Sequence, residues 1–230
     1  MKLLIFDIDG TLTSLDGATR RAFDAAYLRV FGVHAAIGSL KLHGRTDPVI
    51  FKELHELSGR KGSEKDNFPR FREVYLEELP RAIRFTPKAR LQPGIPELLS
   101  ELESRPKDAA LALGTGNMEA GARMKIGFFG LNHYFPVGGF GDAHHERCRI
   151  LLDAVYRAEA YYRADFDPED IWVIGDTIHD VEGGKINRFR TMGVATGGAF
   201  TADELRASNA DVVFDDLSDT ASVLSAFGLS

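Results

Sequence analysis

From residue 93 onward, short apolar runs alternate with segments of helical periodicity, and this alternation strongly constrains the fold. Each run is too short for a helix and stops at a glycine or a polar residue, as buried strands do. The predicted strands are residues 2–6, 109–113, 171–174, 191–195 and 211–214. The predicted helices are residues 96–102, 118–126, 146–162, 178–187, 203–207 and 219–227. This alternation predicts an α/β fold with a Rossmann-like, doubly wound parallel sheet covered on both faces.

The region after the first predicted strand differs from the rest, because it has helical periodicity and no strand-like run up to residue 87. Glycines 59 and 62 and the prolines between residues 80 and 87 punctuate it, which predicts breaks between helices. We therefore predict a core of residues 1–15 and 88–230. Residues 16–87, called the inserted segment below, form a second, smaller and helical region.

The charge balance limits the partners of the protein. Its 230 residues include 28 Lys and Arg against 34 Asp and Glu, which gives a net charge of −6 at pH 7. Binding to a nucleic acid backbone needs a basic face, so this balance argues against a nucleic acid partner. No apolar run approaches 18 residues, and no membrane span is predicted. The single cysteine, Cys148, cannot form an internal disulfide, and we expect a cytoplasmic protein. The sequence gives no indication of the oligomeric state.

Polar side chains follow three of the predicted strands at the point where each strand ends. They are Asp7 and Asp9 after the first, Thr115 and Asn117 after the second, and Asp176 and Asp180 after the third. Ligands of parallel α/β sheets bind beyond the carboxyl ends of the strands. If the three strands are neighbours, four carboxylates, a hydroxyl and an amide converge at one edge of the sheet.

Such a cluster favours phosphoryl transfer with Mg²⁺ as cofactor. Nearby carboxylates repel each other unless a cation lies among them, and oxygen ligands without cysteine or clustered histidine favour Mg²⁺. Asp7 can attack phosphorus and form an aspartyl-phosphate, while Asp9 protonates the leaving oxygen and later activates water. Thr115 offers a hydroxyl, and Gly114 and Gly116 open backbone N–H groups to a phosphate oxygen.

Three motifs resemble those of the haloacid dehalogenase superfamily of phosphatases, in its phosphoglycolate-phosphatase-like branch. Residues 7–11, DIDGT, resemble the first motif; residues 113–117, LGTGN, the second; and residues 175–180, GDTIHD, the fourth. The order and spacing also fit, and the resemblance covers nearly the whole chain. It implies a phosphatase, because the dehalogenases and the phosphonate-cleaving branch lack the second aspartate of the first motif, which is Asp9 here.

The resemblance implies roles for the acidic residues. Asp7 would be the nucleophile and Asp9 the general acid and base. Asp7, the backbone carbonyl of Asp9 and Asp176 would hold Mg²⁺, while Asp180 would bind it through water or orient the site. The inserted segment would be the family's helical cap, which closes over the substrate.

Two further groups complete the implied site. Thr115 would hold the transferred phosphoryl group, with Gly116 and Asn117 beside it. The family's third motif is a Lys or Arg before the long helix that precedes the fourth motif. Arg147 is the preferred residue here, and Arg149 is its rival; a permanently charged arginine stabilises negative charge on the nucleophile and the phosphate.

Residues 43–47 of the inserted segment, HGRTD, resemble a stretch that faces the active site in related enzymes. Arg45 would grip a substrate carboxylate or a second phosphate; the alternative is a surface arginine. Thr46 is alternatively a helix cap, because a helix is expected to begin near Pro48. The adjacent pair His144 and His145 has no third ligand nearby and is interpreted as part of a loop.

The expected activity is Mg²⁺-dependent hydrolysis of a small phosphorylated metabolite, and Arg45 favours a phosphoglycolate-like substrate. Two alternatives stay open. A phosphosugar mutase would share every core residue and return the phosphoryl group to a sugar. A catalytically silent protein that binds a phospho-ligand is the other, although the intact pair of Asp7 and Asp9 argues against it. The motifs also have structural interpretations, since Asp and Gly favour turns and acids favour helix N-termini.

Overall fold

In the computed structural model, residues 1–35, 37–40, 42–59 and 64–229 are described. Their strands are β1 (Lys2–Phe6), β2 (Thr13–Ser14), β3 (Arg90–Leu91), β4 (Ala109–Thr115), β5 (Val137–Phe140), β6 (Ile171–Gly175), β7 (Arg190–Val194) and β8 (Val212–Phe214). Six of them form a parallel sheet in the order β5-β4-β1-β6-β7-β8. Five of the six are the predicted strands, and the predicted α/β fold with a parallel sheet is confirmed.

Helices cover both faces of this sheet. Within the described ranges they are α1 (Ala18–Phe31), α2 (Asp47–Leu57), α3 (Glu64–Arg84), α4 (Ile95–Glu103), α5 (Glu119–Phe128), α6 (Arg147–Tyr162), α7 (Ile178–Ile186), α8 (Ala202–Ala207) and α9 (Thr220–Phe227). Leu4 and Phe6 of β1 pack with α4, α5 and α9, whereas Leu3 and Ile5 pack on the opposite face with α6. The alternation of side chains along a buried strand gives both faces an apolar layer. None of these helices is long and apolar enough to cross a membrane.

The sequence analysis missed strand β5, which contains two consecutive glycines instead of an apolar run. A Cβ atom on Gly139 would lie 1.8 Å from the carbonyl oxygen of Ile150 in α6. Glycine at this position therefore lets α6 approach the strand closely, and close helix packing, not strand propensity, explains the residue.

Helices α1, α2 and α3 lie within the inserted segment and share a core of aromatic side chains. The ring centroids of Phe23 and Tyr75 are 4.6 Å apart, as are those of Phe51 and Phe71. The chain enters these helices from β2 and leaves them towards β3, and the two strands pair antiparallel. The three helices are thus joined to the sheet through a short two-stranded ribbon.

Helix α3 continues through Pro69 and Pro80 and ends at Arg84, within the stretch from Pro80 to Pro87 where a helix break was expected. A proline inside a helix removes a hydrogen bond and costs about 3 kcal/mol. Helix α3 nevertheless buries Tyr75, Leu79 and Ile83 in the aromatic core, and this packing offsets the cost. The expected break at Gly59 follows α2 as anticipated, whereas Gly62 lies outside the described residues.

Candidate active site

The polar residues after β1, β4 and β6 meet at one edge of the sheet, because β1 pairs with β4 on one side and with β6 on the other. Phe6 is in register with both Leu113 and Ile174. The backbone N–H of Asp7 donates to the carbonyl of Ile174 at 2.9 Å, which extends the pairing by one residue. This register puts Asp7 level with Gly114 and Gly175, so Thr115 and Asp176 lie one residue further along the neighbouring chains at the same edge of the sheet.

Glycines bring the backbone close to these side chains. Gly10 has φ +92°, and a Cβ atom there would lie 2.3 Å from Oδ2 of Asp176. A Cβ atom on Gly197 would lie 1.7 Å from the same oxygen. A larger residue at either position would therefore fill the space around the Asp176 carboxylate.

Asp7, Asp176 and Asp180 form a buried carboxylate cluster, with one oxygen from each lying within 4.8 Å of the others. Oδ2 of Asp176 and Oδ1 of Asp180 are buried and accept no hydrogen bond from the described residues. A buried acceptor that receives no hydrogen bond costs free energy. A cation bound to these oxygens would offset that cost. Three oxygen donors without cysteine or histidine fit a hard divalent cation such as Mg²⁺.

The pKa values of Asp7 and Asp176 indicate that negative charge is in excess in this cluster. Burial raises the pKa of Asp7 to about 7, and the charges of Asp180 and Asp9 raise it further, while Arg147 opposes them. Burial and the charges of Asp7 and Asp180 raise the pKa of Asp176 well above its usual value. With all three carboxylates ionised, the one neighbouring guanidinium of Arg147 leaves two negative charges uncompensated. A divalent cation would balance them.

Arg147 is the arginine that the structure places at the cluster. Its Nη1 lies 3.6 Å from Oδ1 of Asp7 and donates to the carbonyl of Gly114 at 3.0 Å, and its Nε lies 3.3 Å from Oδ1 of Asp180. Its rival, Arg149, pairs with Glu146 at 2.7 Å and is 66% exposed. Position 147 begins α6, and the side chain therefore points back over the strand ends, whereas position 149 points to solvent.

Asp180 also has the structural function that the sequence left open. One carboxylate oxygen, Oδ2, accepts hydrogen bonds from the backbone N–H and hydroxyl of Thr177, which forms a capping box at the start of α7. The other oxygen, Oδ1, faces Arg147. The helix cap and the carboxylate cluster thus use different oxygens of one residue.

Asp9 has a different set of neighbours. Its Oδ2 accepts from Nζ of Lys125 at 2.5 Å and from Nδ2 of Asn117 at 2.9 Å. Asn117 in turn donates to the hydroxyl of Thr115 at 2.8 Å and accepts from Lys125 at 2.5 Å. Both polar atoms of the Asn117 side chain therefore have protein partners, and its predicted contact with substrate is left to the backbone.

Lys125 was not identified as a candidate site residue from the sequence. It lies in α5 three residues after Ala122 and one residue before Ile126, both buried, so its position on the helix is on the apolar face. A single lysine within such a face is the signal that could have identified it, because lysine is almost never fully buried unless it is paired.

A cavity of about 300 Å³ opens above these residues. Asp7, Asp9 and Arg147 line its floor, while Arg20, His43 and Arg45 of the inserted segment line the other side. Elements from both regions therefore enclose the space beside Asp7.

The arginines of the inserted segment already have partners. Arg45 forms a two-pronged ion pair with Glu53. Arg20 donates to the carbonyl oxygens of Ile37 and Leu40 at 2.7 and 3.1 Å. Arg45 lies at the cavity, as predicted, but a substrate anion would compete there with Glu53.

Thr46 and the adjacent histidines lie at the rim. Thr46 occupies the N-cap position of α2, as the alternative expected, but its side chain makes no capping hydrogen bond. Its hydroxyl lies instead 3.5 Å from Nδ1 of His145. His144 and His145 lie in the loop before α6, as expected, and neither belongs to the carboxylate cluster of the described residues.

The parallel sheet therefore carries a buried carboxylate cluster at its edge, beside a cavity lined by Asp7. The chain belongs to the haloacid dehalogenase-like hydrolase family, whose model matches residues 1–186. The family resemblance noted from the three motifs is thereby confirmed.

Two curated relatives match most of this chain. The chain is 26% identical to a phosphoglycolate phosphatase of Haemophilus influenzae, covering 97% of this chain and 98% of that one. It is 28% identical to the tyrosine-protein kinase PtkA of Mycobacterium tuberculosis, covering 85% of this chain but only 62% of the kinase. The chain therefore spans less than two thirds of the kinase's length.

Two solved structures share the fold. A hydrolase from Pseudomonas syringae has a TM-score of 0.73 at 21% identity, covering 98% of this chain and 99% of that one. A predicted phosphoglycolate phosphatase from Haemophilus somnus has a TM-score of 0.73 at 19% identity, covering 97% of each chain.

Proposed function

We propose that this protein is a Mg²⁺-dependent phosphomonoester hydrolase that acts on a small phosphorylated metabolite through an aspartyl-phosphate at Asp7. One observation carries the proposal. Asp7 belongs to the carboxylate cluster and also lines the cavity, as does Asp9. The proposed nucleophile, cation site and proton donor therefore lie around the same space. The family assignment fixes the hydrolase class, and this arrangement supports the particular chemistry.

The reaction divides into two steps. Asp7 attacks phosphorus, the bond between phosphorus and the leaving oxygen breaks, and Asp9 gives that oxygen its proton. Water then attacks the phosphorus of the aspartyl-phosphate while Asp9 takes the proton of the water, and the bond to Asp7 breaks to release phosphate. Thr115 and the backbone at Gly116 hold the transferred phosphoryl group, and Arg147 stabilises its negative charge.

Asp7, Asp176, Asp180 and the backbone carbonyl of Asp9 are the residues that would hold Mg²⁺. The ion supplies charge neutralisation on the phosphoryl oxygens and on the carboxylates around them. Oδ2 of Asp176 and Oδ1 of Asp180, which accept no hydrogen bond from the described residues, and the two uncompensated charges of the cluster support this part of the proposal.

The inserted segment, residues 16–87, serves in this proposal as a cap over the cavity and selects the substrate. Arg45 remains the residue for an anionic second group, such as the carboxylate of phosphoglycolate, and would bind it by exchanging Glu53 for the substrate. The likeness to a phosphoglycolate phosphatase supports a phosphoglycolate-like substrate. The proposed setting is the cytoplasm, and the proposed partner is this metabolite alone, without nucleic acid or membrane.

The test is turnover of an aryl phosphate and of a panel of phosphorylated metabolites, with and without Mg²⁺. We expect Mg²⁺-dependent release of phosphate, and we expect Asp7→Asn to lower kcat by about 10⁴-fold or more, since no acceptor for the phosphoryl group remains. Metal-independent turnover, or unchanged turnover in Asp7→Asn, contradicts the proposal.

The mutase alternative is separated by offering a hexose 1-phosphate. A mutase returns the phosphoryl group to the sugar, so an isomeric hexose phosphate would form without free phosphate. A hydrolase releases phosphate. A silent binding protein would do neither, although it would still bind inorganic phosphate.

A further inference from the structure

Lys125 is the only lysine among the largest fully buried side chains of the described residues. Removing an ammonium group from water costs several kcal/mol unless a charge partner and hydrogen bonds compensate for it. The chain places this group directly behind the cavity, where the proposed reaction needs no further cation of its own. Its position therefore requires an explanation beyond packing.

The contacts of Lys125 form a closed ring. Its Nζ donates to Oδ2 of Asp9 and to Oδ1 of Asn117, both at 2.5 Å, and Nδ2 of Asn117 donates to the same oxygen of Asp9 at 2.9 Å. Two donors on one carboxylate oxygen fix the rotation of the Asp9 side chain. The Asp9 side chain is 43% exposed, whereas the Lys125 side chain is fully buried. The second carboxylate oxygen of Asp9, Oδ1, is therefore available to the cavity that Asp9 lines.

The inserted segment meets this ring from the other side. Asp47, at the start of α2, is buried; its Oδ2 accepts from the backbone N–H of Met118 at 2.8 Å, and its own N–H donates to Gly116 at 2.9 Å. Burial raises the pKa of Asp47 to about 6, while the charge of Lys125 lowers it, so the ammonium acts on this carboxylate as well. Lys125 thus lies between a carboxylate of the core and one of the inserted segment.

We infer that Lys125 is a positioning residue for proton transfer: it holds Asp9 with one oxygen fixed and the other directed at the substrate. The inference rests on the proposed function. Lys125 itself touches neither the substrate nor the reacting atoms, and acts through Asp9 alone. Without the ammonium, Asp9 loses its strongest partner and is free to turn away from the leaving oxygen. The orientation that general acid catalysis requires is then lost.

The choice of leaving group separates this function from a merely structural one. The 2,4-dinitrophenolate ion leaves without a proton, whereas an alkoxide needs one from Asp9. In Lys125→Met we expect kcat on an alkyl phosphate to fall about 100-fold, the lower end of what a general acid contributes. With 2,4-dinitrophenyl phosphate the first step is spared and the second is slowed, because Asp9 must still activate water. Stopped-flow measurement should therefore give a burst of one dinitrophenolate per active site and then slow turnover.

A double-mutant cycle tests whether the effect passes through Asp9. If Lys125 acts only there, Lys125→Met lowers the rate in the unsubstituted protein and has no further effect in an Asp9→Asn background. Lys185→Met is the matched control: Lys185 pairs with Asp211 at 2.6 Å on the surface, and its loss should leave both substrates unaffected. Lys125→Gln keeps a hydrogen bond donor without the charge, and the same burst measurement decides the question if Lys125→Met does not fold.

Two outcomes overturn the inference. One is an equal loss with both phosphate esters and no burst, and the other is a loss that persists in the Asp9→Asn background. Failure of the proposed function is distinguishable from these, because it would appear as absent turnover in the unsubstituted protein.

Discussion

Asp7 and Asp9 lie two residues apart on one loop, and their surroundings are opposite. Asp7 belongs to a buried cluster of three carboxylates with one arginine, in which negative charge is in excess. Asp9 is paired with one lysine and one amide, in which charge is balanced and donors are matched. The first environment is incomplete without a cation, whereas the second is complete as it is. The difference suits the two proposed tasks, since a nucleophile on phosphorus works beside a cation and a proton donor needs a fixed orientation.

Among changes that alter one environment and not the other, removing Arg147, the cation that the described residues place beside Asp7, should give a large effect. We expect Arg147→Met to lower kcat by about 10²- to 10³-fold, because the positive charge near the phosphoryl group is lost. Arg149→Met is the matched control, since Arg149 pairs with Glu146 in solvent, and its kcat should stay within about two-fold of the original. Steady-state kinetics on purified, folded variants gives the answer, and equal losses in the two variants would remove Arg147 from the site.

Adding a cation to the first environment should stabilise the protein. At a Mg²⁺ concentration 100 times its Kd, we expect a gain of about 2.7 kcal/mol in the free energy of unfolding, seen as a rise in Tm. At one fixed Mg²⁺ concentration, the gain should be larger at pH 8 than at pH 5.5. Asp7, with a pKa raised to about 7, is protonated in the metal-free protein at the lower pH and must release its proton to bind, and the raised pKa of Asp176 acts in the same direction.

Asp176→Asn provides the comparison for this second measurement, because it removes a ligand while keeping the size of the side chain. Its Tm should not respond to Mg²⁺ at either pH. A Tm of the unsubstituted protein that is the same with and without Mg²⁺ at pH 8 would show that the cluster does not bind the ion.

A smaller effect, on the pH dependence of stability, is expected from Asp47, the carboxylate of the inserted segment that faces Lys125. The pKa of Asp47 is raised to about 6 in the folded protein from 3.8, so the folded state holds more protons than the unfolded state between these values. The free energy of unfolding therefore falls as pH rises from 4 to 6, by on the order of 2 kcal/mol for this residue. Asp47→Asn should abolish this loss and become more stable than the original at pH 7 but not at pH 4.

Urea denaturation of the two proteins across this pH range measures the difference. Asp219→Asn is the control: hydrogen bonds from Ser222 lower the pKa of Asp219, so its contribution to stability rises with pH instead of falling. Parallel curves for Asp47→Asn and the original protein would refute the expected contribution.

Much of the fold was predictable from sequence because its signals are local. An apolar run of four or five residues that ends at Asp or Gly indicates a buried strand without reference to the rest of the chain, and β1, β4 and β6 were found in this way. Strand β5 was missed because its glycines are required by the close packing of α6, and no local sequence pattern reveals that packing. The stretch from Pro80 to Pro87 marked the end of α3 only approximately, since burial in the aromatic core carries the helix through Pro80 to Arg84.

The sequence by itself predicted which side chains meet at the edge of the sheet. Aspartates at the ends of parallel strands must meet if the strands are neighbours, so the convergence of Asp7, Asp9 and Asp176 followed from the sequence, and their catalytic and metal-binding roles stay predictions. Only the tertiary structure decided between Arg147 and Arg149, turned Arg45 towards Glu53, and placed Lys125 against Asp9 across 116 residues of chain. The physical reason is that burying a charge is costly, and the partner that offsets this cost is fixed by the packing of distant helices and not by neighbours in the sequence.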